Sequence, residues 1–135
     1  MGFLIDTGIW INVERAQVAV ADVHAITKNE AVFVSPVNIA ELKMGLEFMT
    51  DHTQRLKALA ALRRLKRLPT VRIDLETGEI FGSLAAQLAK SGRGHEFRIQ
   101  DLWLAAQAIQ RRFKFLTKNE KDFRDIPGLD LVAMK

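Results

Sequence analysis

Short apolar runs alternate along the chain with longer stretches in which apolar residues recur every three or four positions. Phe3-Leu4-Ile5, Ala31 to Val34, Val71 to Ile73, Phe115-Leu116 and Leu129 to Val132 read as buried strands, with helical patterns between them. This rhythm predicts an α/β fold, a three-layer α/β/α sandwich around a mainly parallel sheet. Local signals mark the helix ends. A helical pattern starts near Ile9, after Thr7-Gly8. Ser35 is an N-cap candidate with Pro36 at the first helical position, and that helix should run to about Thr50. Another helix is expected from Thr53 to about Leu68, with Leu56, Leu59, Leu62 and Leu65 at near-helical spacing and Pro69 closing it. Asp74 should cap a helix through Leu84 and Leu88 that ends at Ser91-Gly92-Arg93-Gly94, and a further helix spans Gln100 to Arg112.

Composition narrows the possibilities. The 135 residues, 48% of them hydrophobic, suffice for one domain with a sheet covered on both faces, and no repeat, linker or low-complexity tract divides them. A net charge of +4 and a pI near 9.7 favour a polyanionic partner, provided the basic residues cluster, because sixteen acids accompany them. The absence of cysteine excludes disulfides, thiolate zinc sites and cysteine nucleophiles. With no basic leader before Phe3 and no run of about 18 apolar residues, the expectation is a soluble, cytoplasmic protein without a membrane partner.

Asp6, Glu41, Asp101 and Asn119 are far apart in sequence, yet each stands where an α/β fold can bring it to one edge of a sheet. Two carboxylates about 4 Å apart repel by roughly 4 kcal/mol at an effective dielectric of about 20, so such a cluster calls for a hard divalent ion. Each residue also has an ordinary reading. Glu41 would be a solvated helix charge, except that Val37, Asn38, Met44 and Gly45 share its stripe and offer no basic partner. Asp101 suits the first turn of a helix, with Arg98 three residues before it, and Asp6 suits an N-cap. His24, His52 and His95 have no zinc spacing, and neither a serine-nucleophile elbow nor a phosphate-binding glycine loop is present.

Taken together, the segments Leu4-Ile5-Asp6-Thr7, Asn38-Ile39-Ala40-Glu41-Leu42 with Gly45, Asp101-Leu102-Trp103-Leu104-Ala105-Ala106 and Leu116-Thr117-Lys118-Asn119-Glu120-Lys121-Asp122-Phe123 resemble, in order, the four motifs of PIN-domain ribonucleases. The likeness is strongest to VapC-like toxins of toxin-antitoxin pairs, and it includes Gly94 and Phe97 before the third motif and Ile126-Pro127-Gly128 near the end. The resemblance implies that Asp6, Glu41 and Asp101 hold magnesium, with manganese a substitute, and that Asn119 fills the fourth catalytic position. It makes Thr7 the residue that orients the cluster and Asp122 a nearby supporting acid. It further implies an endoribonuclease acting on structured RNA, tRNA above all, to inhibit translation. The implied partners are a second copy of the chain and a cognate antitoxin whose C-terminal segment wraps the toxin and often places a basic side chain in the acidic site. DNA would be reached only through that antitoxin. Two positions depart from the pattern: Gly8 stands where asparagine is usual, and Arg98 where the family often keeps a small residue.

Several readings remain open at this level. An aspartate-nucleophile phosphatase built on Ile5-Asp6 would expect a second aspartate where Gly8 stands, whereas a degenerate PIN fold would bind RNA or a protein without cutting. Arg55, Lys57, Arg63, Arg64, Lys66 and Arg67 form a basic run that reads as a solvated helix face, an RNA-backbone contact or an antitoxin contact. Lys118, Lys121, Arg111 and Arg112 are further candidates for phosphate contact. For Trp10, Trp103, Phe48, Met44 and Met49, core packing competes with base stacking or a hydrophobic groove.

Overall fold

The computed structural model describes residues 1–94 and 98–135, so His95 and Phe97 lie outside the described residues. Among these, four strands and seven helices follow one another as β1 (Gly2–Ile5), α1 (Thr7–Glu14), α2 (Val20–Thr27), β2 (Ala31–Phe33), α3 (Pro36–Phe48), α4 (His52–Leu65), α5 (Leu75–Lys90), α6 (Ile99–Arg111), β3 (Lys114–Thr117), α7 (Glu120–Phe123) and β4 (Asp130–Ala133). The sheet has the order β2-β1-β3-β4 and every pairing is parallel. Leu4 and Phe115, which are register partners, join the helices α5 and α6 in one core through Leu84, Leu88, Leu104 and Ala105. Phe3, Ile5 and Leu116 face the other way and pack with Ile9, Val18 and Val23 of the α1–α2 region. Alternation along β1 thus covers both sheet faces, giving the expected α/β/α sandwich.

The helix signals map closely onto the structure. Ser35 caps α3 by accepting from the Val37 amide at 3.0 Å, and Asp74 caps α5 by accepting from the Thr77 amide at 3.1 Å. The helix expected over Thr53 to Leu68 runs instead from His52 to Leu65, with Asp51 accepting from the Gln54 amide. Leu56 is exposed in it, whereas Leu62 and Leu65 are buried.

Val71 to Ile73 do not form the expected strand. Parallel pairing beside β2 is limited to an isolated bridge between Val34 and Thr70, held by Val34 N to Pro69 O and Val71 N to Val34 O, both 2.9 Å. Beyond it, Gln107 of α6 donates its amide to the Val71 and Arg72 carbonyls at 3.1 and 3.2 Å. That side chain satisfies carbonyls which a continued ladder would otherwise have to pair.

Topology places the site. From β1 the chain crosses to β2 on one side and later to β3 on the other, so the order reverses at the carboxyl ends of β1 and β3. A crevice forms at such a reversal because the connecting segments leave in opposite directions.

Candidate active site

Asp6 follows β1 directly, and its backbone extends the ladder by donating to Leu116 O at 2.9 Å. Its carboxylate accepts a 2.7 Å hydrogen bond from Thr117, the last residue of β3, so two neighbouring strand ends fix its direction. Burial pushes the Asp6 carboxyl above its ordinary range. The Thr117 hydroxyl, the Arg98 charge and the nearby Gly8 and Thr7 amides pull the other way. Those amides act on the charge without a full capping bond, since α1 has no side-chain cap.

Glu41 reaches the same end from α3. Thr7 Oγ1 donates to Glu41 Oε1 at 2.8 Å and accepts from Asn38 Nδ2 at 2.8 Å. Asn38, fully buried, also donates to Ile5 O at 3.1 Å and accepts from the Ser35 amide at 2.9 Å. One buried amide therefore connects the end of β1, the start of α3 and the hydroxyl that aims Glu41.

Asp101 lies in the first turn of α6 and is 4% exposed. Burial pushes its carboxyl up, the Asp6 and Glu41 charges add to the rise, and Arg98 opposes them. Arg98 spans both Asp101 oxygens, Nε to Oδ2 at 3.2 Å and Nη2 to Oδ1 at 3.1 Å, and its own charge is stabilised by Glu41 and Asp6 as well. Asp101 thus lies within reach of the charges of both Asp6 and Glu41. Among the described residues, however, no three acidic or histidine side chains form a closed cage for an ion. The donor set is hard oxygen, buried at Asp6 and Asp101 and half-buried at Glu41, and its like charges suit a divalent cation that gathers the carboxylates.

Asn119 is exposed at the start of α7, with its amide donating to Thr117 Oγ1 at 3.0 Å. It lines a cleft of about 390 Å³ with Asp6, Gly8, Ile9, Ile11, Asn12 and Lys118. Asp122 is exposed, and its backbone amide bonds to Asn119 O at 2.9 Å. That amide is its link to the fourth motif. Asn38, Thr117 and Asn12 are the site residues that the sequence pattern did not single out for a role. Asn12 falls one helical turn after Gly8, a spacing that could have signalled a shared face.

Other candidates resolve differently. Trp103 stacks on Phe81, with ring centroids 4.2 Å apart, and Trp10 packs on the α1–α2 core, so both serve packing. Met44 and Phe48, for which ordinary core was the simpler reading, are 55% and 79% exposed because they sit on the outer face of α3. Arg55 ties α4 to α3 through Leu46 O and Glu47, which removes it from the free basic run.

The sequence matches the PIN domain family over residues 3–129. The chain belongs to the PIN domain family. Its curated relatives include Ribonuclease VapC of Rickettsia bellii (strain RML369-C), 27% identical over 135 residues and covering 99% of this chain and 97% of that protein. Another is Ribonuclease VapC5 of Mycobacterium tuberculosis (strain ATCC 25618 / H37Rv), 28% identical over 131 residues, with 97% and 92% covered. Among solved structures, VapBC2 from Rickettsia felis bound to a DNA fragment from its promoter superposes with a TM-score of 0.86 at 23% identity, over all of both chains. VapBC-5 from Mycobacterium tuberculosis, a member of a family of toxin-antitoxin systems, gives 0.77 at 27% identity, over 99% of this chain and 98% of that one. The likeness to VapC-like proteins therefore holds, and the sandwich is the PIN fold.

In this PIN domain, Gly8 lies inside α1 with open space where a Cβ would stand and with φ outside the positive region. No backbone demand for glycine exists there. Gly8→Asn is expected to fold with a melting temperature close to wild type and to bind Mn2+ more tightly, since an amide would enter the cleft beside Asp6. Calorimetric titration with thermal melting checks this, and a lowered melting temperature with weakened binding would refute it.

Proposed function

We propose that this PIN domain is a metal-dependent endoribonuclease toxin that hydrolyses phosphodiester bonds in structured RNA, with tRNA as the substrate, and so inhibits translation. The observation that carries the reading is the convergence of buried Asp6 and Asp101 with Glu41 at the carboxyl end of the sheet, two of them aimed by threonine hydroxyls. The names of the relatives, Ribonuclease VapC, support RNA as substrate. The VapBC structures support a cognate antitoxin, and DNA contact through it. A homodimer is part of the same proposal, as is cytoplasmic action. No helix among the described residues is long and apolar enough to cross a membrane.

Asp6, Glu41 and Asp101 would hold Mg2+, or Mn2+ in its place, which supplies positive charge to the phosphate and acidifies water. The chain's own groups do the rest. Thr117 and Thr7 hold Asp6 and Glu41 in fixed directions, so little reorganisation is needed when the substrate arrives. Lys118, exposed at the cleft, is placed for an RNA phosphate, and Asn119 presents a neutral amide beside it. The test is cleavage of purified tRNA with Mg2+ and with chelator. Equal cleavage in both would reject metal dependence, and no cleavage with Mg2+ in protein freed of antitoxin would leave a non-cutting binding module.

Arg63, Arg64, Lys66 and Arg67 are exposed at the end of α4. Changing all four to glutamine is expected to weaken RNA binding across sequences and flatten its salt dependence, as fewer counterions are released. Cleavage at saturating RNA should persist. Unchanged RNA affinity with weaker antitoxin binding would assign the cluster to the protein partner, and no change in either would leave it a solvated face.

A further inference from the structure

Arg98 is the cation already present at the acidic site. Its fork engages both oxygens of Asp101, a side chain only 6% exposed, while the Arg98 side chain itself is 64% exposed. The anion is fixed and the cation stands on the solvent side. Asp101 is held by burial in the first turn of α6, whereas the guanidinium can swing into water at small cost. The fork takes one lone pair on each Asp101 oxygen. An ion drawn to Asp6, Glu41 and Asp101 would share that carboxylate with a second cation, and the two cations repel.

We infer that Arg98 is an in-chain competitor of the divalent cation for Asp101, so that this chain sets its own threshold for metal occupancy. The inference rests on the metal-site reading proposed above. The Arg98 side chain competes without holding the helix. The start of α6 is formed by the Arg98 backbone carbonyl, which accepts from the Asp101 amide at 3.1 Å, and no side-chain cap is involved. Shortening residue 98 therefore removes the competitor and leaves the cap.

The experiment is calorimetric titration of the full chain with Mn2+ in the absence of RNA, for wild type, Arg98→Gln, Arg98→Lys and Asp101→Asn, with melting temperatures in chelator. Arg98→Gln is expected to bind Mn2+ roughly fivefold more tightly, the gain fitting a largely exposed ion pair. Arg98→Lys should fall between, since it keeps the charge and loses the fork. In chelator Arg98→Gln should melt lower than wild type, and saturating Mn2+ should narrow the gap. Unchanged or weaker Mn2+ binding by Arg98→Gln, with Asp101-dependent binding by wild type, overturns the inference alone. If wild type binds no more Mn2+ than Asp101→Asn, the metal-site reading itself fails and the inference falls with it.

Discussion

Asp6→Asn is expected to abolish Mg2+-dependent RNA cleavage while leaving the fold intact. The substitution keeps the shape of the side chain and an oxygen to accept the 2.7 Å hydrogen bond from Thr117, so the junction of β1 and β3 is preserved. It removes one negative charge from a buried cluster. In wild type that charge is disfavoured by burial, as the upward displacement of the Asp6 carboxyl records. Without metal, the neutral amide should therefore melt at or above the wild-type temperature. With metal, the loss of one anionic donor should lower the cleavage rate by at least about a hundredfold, comparable to removing a preorganised electrostatic group elsewhere in catalysis. Glu41→Gln and Asp101→Asn should behave alike in cleavage, although Asp101→Asn also releases Arg98. Rates measured with Mg2+ and with chelator decide the matter, and wild-type cleavage by these variants would remove the acids from the site.

The largest loss of stability is expected from Asn38→Ala. Asn38 is 0% exposed and uses both ends of its amide, donating to Ile5 O and Thr7 Oγ1 and accepting from the Ser35 amide. Alanine leaves a cavity and strands a buried carbonyl and a buried amide. An unpaired buried polar group costs about 1–3 kcal/mol, so a total near 3 kcal/mol, or more, is expected. For a domain of this size that corresponds to a fall of roughly 10 °C in melting temperature. Catalysis should suffer separately at temperatures where the variant is folded. With Asn38 gone, the Thr7 hydroxyl is no longer held and Glu41 loses its fixed direction. Cleavage that stays at wild-type level in the folded variant would show that Glu41 needs no such aiming.

The amide network also marks the limit of what local pattern encodes. Asn38 stands in the second motif, but nothing in its identity reveals that its amide joins three elements, since its partners are 3, 31 and 33 residues away. Gln107 is a similar case. A glutamine amid the alanines of α6 is an ordinary helix residue by pattern, yet it is fully buried, accepts from Ser35 Oγ at 2.5 Å and satisfies the carbonyls that Val71 and Arg72 would have offered to a strand. The missing strand at Val71 to Ile73 follows from this. Val71 and Ile73 alternate with Arg72 as strand residues would, and only the location of the Gln107 side chain shows that ladder hydrogen bonding is replaced. The short α2 was equally hidden, because Ala19 before it offers no side chain to cap it.

What the sequence determined by itself is local or periodic. The alternation of short apolar runs with helical patterns specified a parallel sheet covered on both faces, Ser35-Pro36 and Asp74 specified helix starts, and the order of the acidic motifs specified the family. These signals lie within a few residues, or repeat along the chain, because the backbone hydrogen bonds and caps that they encode are short-range. Proximity across the chain was decided only in three dimensions. The reversal of strand order between β1 and β3 brings Thr117 to Asp6, and the packing of α3 and α6 brings Glu41 and Asp101 into the same field. Whether Arg98 is a surface charge or the counter-ion of that field depends on distances and burial that side-chain packing alone sets, because charge acts through space and not along the sequence.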